Sequence, residues 1–332
     1  MGGAGAGPPD CFSIAKIQGS IIRRGGRSIM MRKIYLLFAG TLIALLGIAQ
    51  TPHSLLWRIS GKNIMRPSYL FGTMHVLCAA DARLSDSLTA AIKNCDEIWF
   101  EIDLSDMAGM LGSMQYMQMN DSKRLSDLLK PDDYARVKAY FAKHMAMMPF
   151  TMLERFKPML ISALIEQQEL DCETTDGMEL RIMKESKTWH KPINGLETAE
   201  FQASLFDSIP YEEQARELVK SIDSSDQNKK MTQQLVRLYN QQDLDGIDSL
   251  SQQDDQEMSA YMDLLLYGRN RKWAKKLDGM LRKKSMLIAV GAAHLPGKGG
   301  VIALLRKEGY TVEPVQNQLT NGQVADVARP AR

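Results

Sequence analysis

Three things on which functional assignments commonly rest are scarce in this chain. There is no excess of one charge: 41 Lys and Arg stand against 39 Asp and Glu, interspersed, for a formal net of +2. Nothing therefore argues for nucleic acid or for an acidic partner. Cysteine is sparse: Cys11, Cys78, Cys95 and Cys172 form neither a C-x-x-C pair nor a disulfide-rich pattern, and their count does not fix a compartment. Histidine is scarce too, with five in 332 residues. Apolar content, at 45%, is ample for a core, and the length allows one large domain or two small ones.

Long apolar runs are also missing, with one exception. Met31-Arg32-Lys33 leads into the apolar segment from Ile34 to Ala49, and Gln50-Thr51-Pro52 follows. A basic start, an apolar segment and a small residue before a polar, proline-containing stretch read as a signal peptide cleaved after Ala49. The segment is only slightly short of a full span, so an uncleaved membrane anchor is the alternative. Either reading places the bulk of the protein outside the cytoplasm, periplasmic or extracellular. Residues 1–30, rich in Gly and Arg, read as an upstream extension without a fold signal, and 317–332 as a flexible tail.

The remainder, 50–316, reads as one domain of α/β class with a mixed central sheet. Residues 54–60 alternate as a strand, Gly61-Lys62-Asn63 turns the chain, and Ser68 to Phe71 returns it, which predicts a hairpin ending at His75. Leu84, Leu88 and Ile92 recur every four residues behind Ser85 and Asp86, predicting a capped surface helix. It leads into the strand Ile98-Trp99-Phe100. From about 121 to 282 the periodicity is helical, interrupted by a short extended piece at Pro192 to Glu197. Ser285 to Val290 returns to the sheet, 299–306 reads as a helix, and Tyr310 to Val315 as an edge strand that tolerates its proline. The sheet core, 54–103 and 285–315, is thus completed by both ends of the chain around a long helical insertion.

Two stretches share one local context: Gly72-Thr73-Met74-His75 and Gly291-Ala292-Ala293-His294. Each ends a short, continuously apolar run, the pattern of a strand buried on both faces. Side chains at such strand ends are where α/β proteins build sites. Glu101 and Asp103 follow Ile98-Trp99-Phe100 in the same fashion. Two imidazoles and a carboxylate suit a divalent cation, with His75, His294 and Glu101 as ligands. Such a site activates water for hydrolysis. Glu197 and Glu200 read as acidic residues opening a helix. Arg269, beside Asn270, suits an oxyanion or a substrate carboxylate, and a solvated helix face explains it more simply. Met107, Met110, Met114 and Met117 fall on one helical face and read as core, or as an adaptable groove for an extended peptide.

Taken together, the paired G-x-x-H motifs, the Trp-Phe-Glu strand, Gly195-Leu-Glu-Thr-x-Glu-x-Gln202, Arg269-Asn-x-x-Trp273 and the closing Val290-Gly-Ala-Ala-His294-Leu run resemble the TraB/GumN family. That family includes pheromone-shutdown proteins and the Tiki metalloproteases, which cleave an N-terminal stretch of secreted signalling proteins. The resemblance implies a fold shared with erythromycin esterases and a haem-binding lipoprotein group. It also implies a divalent-metal hydrolase (manganese, cobalt, zinc or iron) acting on a peptide or protein. Its motif residues fall on His75, His294, Glu101, Arg269 and Asn270. If Glu101 is a ligand, Glu197 or Asp103 must take the proton; if Glu101 is the base, the metal has only two histidines and needs another oxygen. Two further readings remain: a non-catalytic haem or metal binder, and a metal-free esterase-like hydrolase using the same His, Glu and His.

Overall fold

The computed structural model describes residues 53–145, 149–170, 172–253 and 260–319. The segment read as leader or anchor, the extension before it and most of the tail lie outside the described residues. Among those described, no helix is long and apolar enough to cross a membrane.

The apolar runs become the sheet. β1 (Leu56–Ser60), β2 (Ser68–Thr73), β4 (Glu97–Ile102), β6 (Ile193–Glu197), β7 (Met286–Gly291) and β8 (Thr311–Pro314) form six strands in the order β6-β4-β7-β2-β1-β8. β6, β4, β7 and β2 run parallel, and β1 is antiparallel to both of its neighbours. This is the mixed α/β sheet that the sequence predicts, with β1 and β8 joining the two ends of the domain along one edge.

β7 sits between β4 and β2 for a physical reason. Met286, Leu287, Ile288, Ala289 and Val290 are all buried, so the strand has no polar face to offer water and requires cover on both sides. Each such aliphatic side chain contributes roughly 1.5–3 kcal/mol when removed from water. The helix before β4, α1 (Asp86–Asn94), is capped as its sequence predicts: the Ser85 hydroxyl accepts from the Leu88 amide.

A second, two-stranded sheet pairs β3 (Leu77–Cys78) with β5 (Thr175–Asp176). A disulfide between Cys78 and Cys172, with Cα atoms 5.7 Å apart, reinforces it. Neither the pairing nor the bond is legible in the cysteine spacing.

One packing expectation is overturned. α2 (Met107–Ser113) and the turn after it leave Met107 67% and Met114 46% exposed and Met110 and Met117 half-buried, so this methionine stripe is not core.

Candidate active site

Four parallel strands end on one side of the sheet, and each delivers one candidate. β2 leads to His75, β4 carries Glu101, β6 ends in Glu197, and β7 ends in Gly291 ahead of a 3-10 turn, Ala292–His294. The helix α12 (Gly268–Leu281) crosses the same end and adds Arg269, Asn270 and Trp273, all buried. The two G-x-x-H motifs meet directly. Gly72 lies against Ala292, where a Cβ would come within 3.1 Å of the Ala292 Cα, so the close strand approach depends on the missing side chain.

Alike in sequence, the two histidines occupy different settings. His294 is 5% exposed, with its ring 4.5 Å from that of Trp273. Its Nδ1 lies 2.5 Å from Asn270 Oδ1. The Asn270 amide cannot face the other way, because its Nδ2 donates to the carbonyls of His294 (3.3 Å) and Gly299 (2.9 Å). Nδ1 therefore carries the proton in the neutral ring, and Nε2 keeps its lone pair. That lone pair faces Arg269 Nη1 at 3.3 Å and Glu101 Oε1 at 3.6 Å. Burial pushes the imidazole down to about 4, so at neutral pH it is an acceptor.

His75 is 67% exposed, at the mouth, and its Nδ1 lies 2.7 Å from Glu179 Oε1. Hydrogen bonding to Glu179 pushes the imidazole up to about 9 despite opposing desolvation. His75 is near enough to Glu101, Arg269 and His294 to feel their charges.

Between the histidines lies a charge network closed to solvent. Arg269 Nη2 donates to Glu101 Oε2 at 2.6 Å and reaches Glu197 Oε2 at 2.9 Å, while its Nε donates to Glu197 Oε2 at 3.0 Å. Gln202 Nε2 donates to both carboxylates, at 3.1 and 3.3 Å. The Gly291 amide donates to Glu101 Oε1 at 2.8 Å. Burial alone would raise the Glu101 carboxyl, but the charges of His294, Arg269 and His75 and the Gly291 amide outweigh it and hold it at about 2.

Several expectations change here. Arg269 is buried, at 9% exposure, rather than on a solvated face. Glu197 is the last residue of its strand, and Thr198, whose hydroxyl accepts from the Phe201 amide, caps the following helix α8 (Ala199–Leu205) instead. Asp103 turns away, its Oδ1 accepting from the amide and hydroxyl of Ser105. Glu179 stands in the first turn of α7 (Met178–Thr188) and no sequence pattern marks it. Gln202, to which the Gly195–Gln202 pattern assigns no role, bridges Glu101 and Glu197.

The donor set suits a divalent cation in chemistry. Two carboxylates against one guanidinium leave a negative charge uncompensated, but His294 Nε2 already faces Arg269 Nη1 at 3.3 Å and His75, raised to about 9, carries a proton on both nitrogens at neutral pH, so a cation would have to displace both. Among the described residues, no group of three or more His, Cys, Asp or Glu side chains is gathered closely enough to hold a metal ion. His75 stands outside the His294–Glu101 contact.

Comparison with known proteins places this arrangement. The chain is 24% identical over 316 residues to the metalloprotease TIKI2 of Danio rerio, covering 79% of this chain and 61% of the relative. It is 25% identical over 320 residues to the human metalloprotease TIKI1, with 79% and 62% covered. It is also 24% identical over 248 residues to the uncharacterized protein YbaP of Shigella flexneri, with 73% and 88% covered. The chain thus spans about three-fifths of the length of the metalloprotease relatives. No solved structure matches it. The family model for TraB/PrgY/gumN matches residues 55–314, which takes in every strand of the central sheet and every residue of the charge network, and the chain belongs to that family.

Proposed function

We propose that this protein is an exported, divalent-metal-dependent hydrolase that cleaves peptide bonds, with its centre at His75, His294 and Glu101. The observation that carries the reading is His294: a buried neutral imidazole, its tautomer fixed by Asn270, whose Nε2 keeps a lone pair between Arg269 Nη1 at 3.3 Å and the ionised Glu101 at 3.6 Å. The metalloprotease relatives support peptide as the substrate class. A disulfide joining Cys78 to Cys172 supports an oxidising compartment.

The cation, held by His75, His294 and Glu101, would supply Lewis acidity toward a peptide carbonyl. The chain's own groups do the rest. With Glu101 as a ligand and Asp103 turned away, Glu197 is the carboxylate left to receive a proton. Arg269 fixes Glu101 and Glu197 and offers positive charge for a developing oxyanion. Asn270, fully buried with both ends of its amide committed, orients His294.

Elemental analysis of the full chain purified without chelator, together with cleavage of a peptide library, tests the proposal. About one equivalent of a transition metal is expected, lost with cleavage in His294→Ala. A wild-type metal content retained in that variant would refute it.

A second reading has its own support. The guanidinium of Arg269 already occupies Oε2 of both carboxylates, where a further cation meets its repulsion. In that reading His294 Nε2 acts as a general base without metal, and cleavage survives chelation.

A further inference from the structure

The balance of charge in the whole chain does not hold along α12. Between Arg271 and Lys284 seven of the fourteen residues are Lys or Arg, and only Asp278 is acidic. All seven cations are exposed. Four have partners within the chain: Arg271 donates to Asp263 at 2.8 Å, Arg282 to Asp278 at 3.4 Å, Lys284 to Glu97 at 2.7 Å, and Lys276 to the Leu196 carbonyl at 2.8 Å. Lys272, Lys275 and Lys283 have no carboxylate partner among the described residues. Their spacing sets them on one side of the helix, with Lys283 in the turn just past its end and Gly279 between them. A Cβ on Gly279 would meet nothing within 4 Å, so the middle of this face is open. A solvated face needs charge, but not charge of one sign, and lysines one turn apart repel each other.

The row begins beside the candidate site. Lys272 follows Arg269 by one turn, and its ammonium lies 4.9 Å from the centre of the Phe201 ring. Phe201 precedes Gln202, which bridges Glu101 and Glu197. Lys276 binds the carbonyls of Gly195, at 3.3 Å, and Leu196, the two residues before Glu197. From Lys272 to Lys283 the helix rises roughly 16 Å, the reach of about five extended residues. We propose that Lys272, Lys275 and Lys283 dock an acidic segment of the substrate polypeptide, to one side of the bond that is cleaved. Charge complementarity selects the acidic partner. A single file of cations on one helix, starting one turn from Arg269, suits an extended chain, whereas a planar lipid surface calls for cations spread over a broad face. The assignment rests on the peptide-cleaving reading and adds to it the charge of the substrate.

The test uses the full chain with Gly279→Glu and Gly279→Gln, two side chains of equal size that the open space accepts, and with Lys275→Glu and Lys283→Glu combined. Fluorescence anisotropy follows a labelled peptide of alternating Asp and Ser, and its counterpart with Asn for each Asp, at low and at high salt. Co-sedimentation follows vesicles of phosphatidylglycerol. The Asp peptide should bind the wild type more tightly than the Asn peptide, and salt should weaken it. Its affinity should fall about tenfold in Gly279→Glu and in the paired lysine variant, and by less than about threefold in Gly279→Gln. Equal affinity for the two peptides, or an unchanged affinity in Gly279→Glu, overturns the proposal. So does vesicle binding that is lost in the same variants while the Asp peptide stays unbound, which assigns the row to a lipid surface. Cleavage of a peptide library is read separately. Cuts without acidic preference on either side refute the docking and leave the peptidase reading standing; Asp-peptide binding without any cleavage supports the docking and removes the peptidase reading.

Discussion

Replacing Arg269 by methionine removes a charge that two hydrogen bonds tie to two buried carboxylates and a third to a backbone carbonyl. The bonds run from Nη2 to Glu101 (2.6 Å), from Nε to Glu197 (3.0 Å) and from Nη1 to the Leu265 carbonyl (3.0 Å). Methionine keeps most of the aliphatic stem, so little of the loss is packing. Removing one partner of a buried ion pair costs about 3–5 kcal/mol. Here two carboxylates lose their cation and keep only neutral donors, Gln202 for both and the Gly291 amide for Glu101, which puts the expected loss at the upper end. Against a total stability of about 5–15 kcal/mol the variant should still fold. The pH dependence follows from the sign of the shift. In the wild type Glu101 is held at about 2, so its contribution is present above about 4.5, the unfolded value, and fades as pH falls toward 2. Without the guanidinium, desolvation pushes the carboxyl up from about 2 against the remaining charges and the Gly291 amide. The deficit should then be smaller at pH 3 than at pH 7. Urea denaturation at both pH values reads this directly. A variant within about 1 kcal/mol of wild type at pH 7, or a deficit independent of pH, would refute the charge network as the source of stability.

Other outcomes follow from the same geometry. His294 is depressed to about 4, so the unfolded chain takes up a proton near 6.5 that the folded chain refuses; stability should fall by about 3 kcal/mol between pH 6.5 and 4, and His294→Gln should flatten that slope in urea titrations. Reducing the Cys78–Cys172 bond, which spans 94 residues, should cost up to about 4–5 kcal/mol on a loop-entropy basis, seen as a lower melting temperature with reductant. Asn270→Ala leaves the His294 ring and two carbonyls without partners; a loss of about 2–3 kcal/mol is expected with a fall in peptide cleavage of about 10–100-fold, and a variant cleaving at the wild-type rate would remove Asn270 from the site.

The sheet was legible in the sequence because strand burial is written locally: continuous apolar runs such as Met286 to Val290 have no amphipathic alternative. The strand-end candidates were legible for the same reason, since Gly72 and Gly291 mark where those runs stop. What distinguishes His75 from His294 was not legible. Burial of one and exposure of the other come from Trp273 and Asn270 on a helix that precedes His294 by more than one turn of chain, and from Glu179 about a hundred residues after His75. The methionine stripe misled because helical spacing reports a face and not what covers it. The Cys78–Cys172 bond was invisible because four cysteines without a pattern allow several pairings, and only the β3–β5 contact selects one.

The position of β7 also sets an order of assembly. It is the next-to-last strand in the chain, yet it lies at the middle of the sheet, between β4 and β2. Until β7 is in place, β1 with β2 and β4 with β6 can form only as separate pieces, each with a bare edge where β7 belongs. Residues 286–291 close that seam, and in the same event carry Gly291 to Glu101 and His294 to Asn270. The chemistry of the site therefore comes into being only when β7 docks. A chain interrupted before that point has neither a closed sheet nor a reactive centre, and its open edges invite pairing with other chains.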